Sequence, residues 1–411
     1  MLSRHNGVKY LKLLSYMILS VFLICFPLTV YCQTKAPDKI RIGTAVSLSG
    51  PYAMAAISVN TYNFNMWVEE INAKGGIYLK KFDKRIPVEL ITYDDKSETG
   101  TAVKLVEKLI LDDKVDLLLP PWSTAIHLAV APVANKYGYP LLGPTITSEK
   151  LREIIHTIPY FFVIINQARE QGTSLIKLFE ELKIKKVALI YVADAHGIEM
   201  TAQIAPTLGI AGMEVVLLKN YPLGIKDISP LLKTIKAADV DAMVAFSYPP
   251  DTFLITEQAK VIGLNPKIFL CSVGTAFPTY RDKFGADTVE GVMGMGVWNS
   301  KLPHPGAKEY FERHLKRWNK EPDRWGSPMV YASLQVLERA VEMAGSIDRP
   351  KIREIIASET FQTIIGPVKF VNGFNIHSPG EVGQWQKGEF EVVAAKEKRT
   401  AAPLFPKPPW R

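Results

Sequence analysis

Residues 115–134, VDLLLPPWSTAIHLAVAPVA, and residues 139–151, YPLLGPTITSEKL, hold two successive junctions where a short apolar strand gives way to hydroxyl side chains and then a helix. The first amides of a helix have no acceptor within it, so amides and Ser/Thr hydroxyls gathered there make a ready anion site. In a parallel α/β sheet such junctions line one edge beside the topological switch point, where ligands bind. Ser123 and Thr124 at the first junction, with Thr145 and Thr147 at the second, are therefore the leading candidates for holding a carboxylate.

The same rhythm extends outward in both directions. Upstream, KIRIGTAVSL (39–48) reads as a strand, and the following loop feeds a helix that stops at Gly75 and Gly76, residues suited to a left-handed helix end. RIPVELITYDD (85–95) is the next strand and TGTAVKLVEKLILDD (99–113) the next helix. Apolar strands alternating with amphipathic helices predict a parallel sheet. Downstream the alternation restarts with KKVALIYV (185–192) and runs through VDAMVAFSY (240–248) to KIFLCSV (267–273), echoing the first series in order and spacing.

The expected fold class is therefore α/β, with two similar doubly wound parallel-sheet lobes. The first takes residues 38–158 and, through the helices of 307–345, a returning segment of about 297–379. The second takes residues 159–296 and the last strands, about 380–411. Three crossings, near Pro159, Val297 and Pro379, join the lobes, and a few crossover residues of that kind form a hinge. The closing PLFPKPPW (403–410) reads as an extended surface tail anchored by Trp410.

At the other end, Arg4, Lys9 and Lys12 precede an apolar run from Leu13 to Val30 and a polar QTKAPDK, the layout of a secretory signal over residues 1–32. The competing readings are a permanent membrane anchor, for which the run is short, and a lipid anchor at Cys32, which the bulky Tyr31 before it disfavours. Removing that segment takes away three cations and no carboxylates, so the formal net charge falls from +8 to +5. The basic residues are interleaved with acids, which speaks for solvated helix faces rather than a nucleic-acid partner. Cys25 and Cys32 lie in the leader, which leaves Cys271 and no internal disulfide. On its strongly apolar strand Cys271 reads as a packing residue.

Taken in order, KIRIGTAVSLSGPYA, NAKGGI, VELITYDDKSE, the PWST and GPTITS junctions and the PKPPW ending resemble the periplasmic solute-binding proteins of ABC importers, of the branched-chain amino-acid (Leu/Ile/Val) type. The resemblance runs from about residue 39 to the C-terminus. It implies a type I periplasmic binding fold, a monomer that closes over one small carboxylate-bearing ligand, and a membrane permease as partner. It also implies a periplasmic or extracytoplasmic location. By the same resemblance Ser123, Thr124, Thr145 and Thr147 would grip the ligand's α-carboxylate, while His196 and Tyr248 stand where the family places covering aromatics. The acid that usually meets the ligand's ammonium is missing, because Val273 occupies its position. A buried ammonium without a counter-charge is costly, so an amino-acid ligand needs Asp251 or Asp194 instead. Otherwise the ligand is an amine-free aliphatic or aromatic acid.

Each candidate also has a plainer reading. Ser123 and Thr124 fit helix N-caps, a role worth about 1 kcal/mol and compatible with ligand binding. Tyr52, in SGPYA, is either a surface-loop residue or a stacking wall; Trp122, whose indole N–H needs a partner, suits a cleft wall better than a core. The histidines have no metal-ligand spacing, so neither a metal nor a cofactor is expected. No nucleophile elbow, zinc-protease helix or P-loop is present, which argues against an enzyme and leaves a ligand-sensing signalling module as the other class.

Overall fold

The computed structural model describes residues 35–377 and 382–411, so the predicted signal segment lies outside the described residues. Its strands sort into an α/β architecture with parallel-sheet lobes. In the first lobe, Ile40–Val46 lies at the centre, with Val88–Asp94 on one side and Leu117–Leu118 on the other, all parallel. A second group runs Leu141–Gly143, Phe161–Val163, Phe374–Asn375, Gly366–Val371 and Thr360–Thr363. The helix Thr124–Lys136 packs on both groups, against the helix Thr99–Leu111 and against the strands Leu141–Gly143 and Phe161–Val163.

The second lobe is built on one seven-stranded sheet. Its order is Glu214–Tyr221, Lys186–Val192, Ala242–Phe246, Ile268–Cys271, Met293–Met295, Val382–Gln386 and Glu389–Ala394. The first five pair in parallel and the last two antiparallel. These strands are near-continuous apolar runs because helices cover both faces; Ala242–Phe246 and Ile268–Cys271 are buried at every position.

Strand order fixes where a ligand can sit. In the first lobe the central strand Ile40–Val46 is flanked by the second and third strands of that sheet, so the switch point lies between it and Leu117–Leu118. In the second lobe the equivalent point lies between Lys186–Val192 and Ala242–Phe246. The residues that leave the carboxyl ends of those four strands are Tyr52, Trp122 and Ser123 on one lobe, and Asp194, His196 and Tyr248 on the other.

Just past the crossing expected near Pro159, Phe161–Val163 pairs in parallel with Leu141–Gly143. Pro159 and Tyr160 are the loop that feeds this three-residue strand. Further along, the helix starting at Ala53 runs through a π-type turn at Ile57–Thr61 and stops before Gly75 and Gly76. Gly76 has φ +108°, and a Cβ there would stand 1.9 Å from the carbonyl oxygen of Ile86, so only glycine fits. The tail is held as expected: the Trp410 indole donates to the Leu264 carbonyl (2.7 Å) and meets Phe269 edge-on.

Candidate functional site

The two hydroxyl junctions are joined to each other. The Thr147 amide donates to Thr124 Oγ1 (3.2 Å), so the second turn is stitched to the first residue of the helix Thr124–Lys136. Ser123 caps that helix, its Oγ accepting from the Ile126 amide (3.3 Å). Ser123, Thr124, Thr145 and Thr147 are all buried, at 2–4% exposure. The hydroxyl of Thr145 has no hydrogen-bond partner. A buried polar atom left unpaired is uncommon in a folded protein, and it marks a donor available to a ligand.

Above these turns stand three aromatic rings. Tyr52 and Trp122 from the first lobe meet Tyr248 from the second, with ring centroids 5.2–5.5 Å apart in tilted or edge-on geometry. His196 stacks on the other side of Tyr248 at 5.4 Å, its Nε2 3.3 Å from Ser272 Oγ. Burial pushes the His196 imidazole down to about 4, so near neutral pH it is an uncharged wall. The Trp122 indole N–H and the Tyr248 hydroxyl lack partners.

The lobes touch across this cluster. The Tyr52 hydroxyl donates to the Asp194 carboxylate on the facing lobe. Burial, followed by the charge of Asp194, pushes the Tyr52 hydroxyl far above its usual range, so it stays a donor. Along the rim, the Glu149 amide donates to Glu199 (3.1 Å), and the Arg169 amide donates to Glu149 (2.9 Å). The geometry is that of a closed jaw.

The structure thus brings Tyr52, Trp122, Ser123, Thr124, Thr145, Thr147, His196 and Tyr248 to the region between the two switch points. Asp251 lies within electrostatic reach of Asp194 and Tyr248. It lies in the first turn of the helix Pro249–Ile262, 2% exposed, with one carboxylate oxygen unpartnered and no side-chain bond to the first lobe among the described residues. Burial lifts its carboxyl from the usual 3.8 to about 6; burial likewise pushes up Tyr221 and Cys271 in the second-lobe interior, with the charge of Asp251 adding to it. Asp194 is the acid whose carboxylate meets Tyr52 of the other lobe.

Gln167 is a residue that sequence reasoning passed over. Its amide nitrogen donates to the carbonyls of Ile146 and Ile165, and its carbonyl accepts from the Ser148 amide, so it clamps the second turn from the start of the next helix. A glutamine one residue before a helix with Glu170 three positions on is a capping-box pattern, and that signal was available. No group of three or more potential metal ligands gathers among the described residues.

A two-lobed α/β clamp with hydroxyl-bearing turns on one jaw and aromatic rings from both has the architecture of the extracytoplasmic solute-binding folds. The chain belongs to the periplasmic binding protein family, whose model matches residues 39–389. Among its relatives, a Leu/Ile/Val-binding protein homolog 7 of Brucella suis biovar 1 (strain 1330) is 24% identical over 374 residues, covering 87% of this chain and 92% of that one. The fold is similar to the branched-chain amino acid transporter substrate binding protein LivJ of Streptococcus pneumoniae, solved with isoleucine, with a TM-score of 0.75, 22% identity and coverage of 86% and 99%. It is also similar to an R. palustris ABC-transporter solute binding protein solved with benzoate, with a TM-score of 0.74, 17% identity and coverage of 89% and 97%.

Proposed function

We propose that this chain is the substrate-binding component of an ABC importer, secreted by residues 1–32, which closes as a monomer over a small carboxylate-bearing ligand and presents it to a membrane permease without turning it over. Its first lobe takes residues 38–163 and 297–377, its second residues 164–296 and 382–411. Ser123, Thr124, Thr145 and Thr147 receive the carboxylate, and Tyr52, Trp122, Tyr248 and His196 wall the body of the ligand. The observation that carries this reading is the pair of hydroxyl-bearing turns, tied together by Thr147 and Thr124, facing an aromatic cluster contributed by both lobes. A ligand touching both lobes favours the closed state through contacts absent from the open one, and closure is what a permease can read.

The ligand class follows from the acid at the cleft. With Asp194 meeting an ammonium, the ligand is an amino acid with a branched or hydrophobic side chain, the class named for the Brucella relative. A second reading, an amine-free aromatic acid, is favoured by the three clustered rings and by Val273 in place of the family's acid. A thermal-shift screen of leucine, isoleucine, valine and benzoate separates them, since a ligand at a hundred times its Kd stabilises the fold by about 2.7 kcal/mol. Asp194→Asn should then weaken the amino acids far more than benzoate, which loses only the charge on the acceptor of the Tyr52 bond across the cleft. Failure of every carboxylate to raise the melting temperature would refute the reading.

A further inference from the structure

His127 is fully buried in the first turn of the helix Thr124–Lys136, and both of its donors go to one atom. Its backbone amide reaches the Ser123 carbonyl at 3.2 Å, and its ring Nδ1 lies 2.7 Å from the same oxygen. A carbonyl oxygen only accepts, so Nδ1 carries the proton and Nε2 is bare. Nε2 has no partner, and burial pushes the imidazole down to about 4, so the ring is a neutral donor committed to Ser123.

The residue it holds is in an unusual conformation. Ser123 has φ +83° and ψ 153°, a region that residues with a side chain rarely occupy and that is kept only where surroundings over-determine it. Other caps of this protein receive the same backbone bond without a ring to support it. Asp194 accepts from the Ile198 amide with φ −138°, and Tyr248 accepts from the Thr252 amide with φ −100°. The bond from a helix amide to the cap carbonyl therefore does not impose a positive φ; the features particular to Ser123 are the imidazole on its carbonyl and, upstream, the Asn60 side-chain amide on the carbonyls of Pro120 and Pro121 (3.2 and 3.1 Å). A φ of this sign turns the Trp122–Ser123 peptide and with it the Ser123 amide, in a junction whose companion turn carries Thr145, a buried hydroxyl without a partner.

We propose that His127 is a positioning residue for the anion cradle: its Nδ1–H pins the Ser123 carbonyl and keeps the Ser123 peptide turned so that the donors of the junction face a ligand's carboxylate. The inference rests on the reading of this junction as the carboxylate site. It places one determinant of carboxylate recognition a full helical turn behind the cleft, on a side chain that itself touches no ligand.

The test uses two variants of the full chain and three probes. His127→Phe keeps an aromatic ring and drops the donor. His127→Asn keeps a donor of suitable reach, as Asn63 shows by donating from its side-chain amide to the Val59 carbonyl four residues back at 2.7 Å. Calorimetry with isoleucine, isoleucinamide and benzoate is paired with crystal structures of the ligand-free variants. The expected result for His127→Phe is a return of Ser123 to negative φ, roughly tenfold weaker binding of the carboxylate probe, and a matching loss of discrimination against the amide. His127→Asn is expected to retain the positive φ and most of the affinity. The proposal is overturned if His127→Phe keeps Ser123 at positive φ, or if its preference for carboxylate over amide is intact. Should the unmutated protein bind none of the probes, the carboxylate reading fails on its own, and the Ser123 torsions still decide the role of His127. Should His127→Phe not fold, a negative φ in His127→Asn overturns the proposal and a positive one supports it.

Discussion

Tyr52→Phe isolates the bond that crosses the cleft. The phenol donates to Asp194 on the facing lobe, whereas its ring packs against Trp122 and Tyr248. Phenylalanine keeps the ring and removes only the donor. A hydrogen bond to an ionised acceptor contributes about 1.5–3 kcal/mol. Because donor and acceptor sit on different lobes, that contribution exists in the closed form alone; in the open form each group is solvated. The ratio of closed to open protein should therefore fall roughly ten- to hundredfold. Affinity for any ligand that completes its contacts only on closure falls by up to the same factor. Asp194 retains its bond from the Ala195 amide, so the cap of the helix Ala195–Ile210 survives and the melting temperature of the ligand-free protein should move little. Distances between spin labels placed on the two lobes measure the closed fraction, and calorimetry measures the affinity. If neither changes, the cross-cleft bond contributes nothing to closure and the argument that built the site from it is wrong.

Thr147→Ala leaves intact the backbone bond to Thr124 and removes a cradle hydroxyl, so carboxylate binding should weaken by about 1–3 kcal/mol in calorimetry with little change in ligand-free stability. Asp251→Asn should make stability less sensitive to acid pH. The folded carboxyl titrates near 6 and an ordinary one near 3.8, so below about pH 4 the group is neutral in both states and no charge is buried, and stability is lost as pH rises through the folded value, by about 3 kcal/mol in all. The variant should match the parent near pH 4 and exceed it at pH 7.5 in urea unfolding curves. Trp410→Ala removes the indole bond to Leu264 and the contact with Phe269, and should lower the urea midpoint by the equivalent of about 1–3 kcal/mol without altering ligand affinity.

The parallel sheets were legible because their strands are uninterrupted apolar runs followed by loops rich in hydroxyls, glycine and proline, as in VDAMVAFSY and VDLLLPPWST. Tyr52, Trp122 and Tyr248, the proposed walls of the cleft, each follow such a run. The place of Phe161–Val163 was not legible, because it is only three residues long and is fixed by pairing with Leu141–Gly143, a relation between segments that no local pattern carries. Which of the two acids meets Tyr52 was not legible for a related reason. Asp194 and Asp251 both sit at strand-to-helix junctions, and only the rotation of each helix start decides which carboxylate meets Tyr52. The turned peptide of Ser123 had no signal at all, since serine is an ordinary cap and a positive φ at such a position is imposed from outside. His127 carried no signal beyond its lack of metal-ligand spacing, because its bond is to a backbone carbonyl, which no residue type announces.

Cys271 is the one cysteine among the described residues, and it is fully buried on a central strand of the second lobe with its thiol held well above its usual range by burial. A thiol in that state does not ionise near neutral pH and is closed to electrophiles. The folded protein therefore offers a silent background for maleimide chemistry. A cysteine engineered at an exposed rim position such as Lys150, whose side chain is 77% accessible and lies beside Glu199, would be the single address for a dye among the described residues, in a chain cut after residue 32. Its emission would follow the narrowing of the gap, turning the jaw into a reagentless reporter for whatever solute it captures.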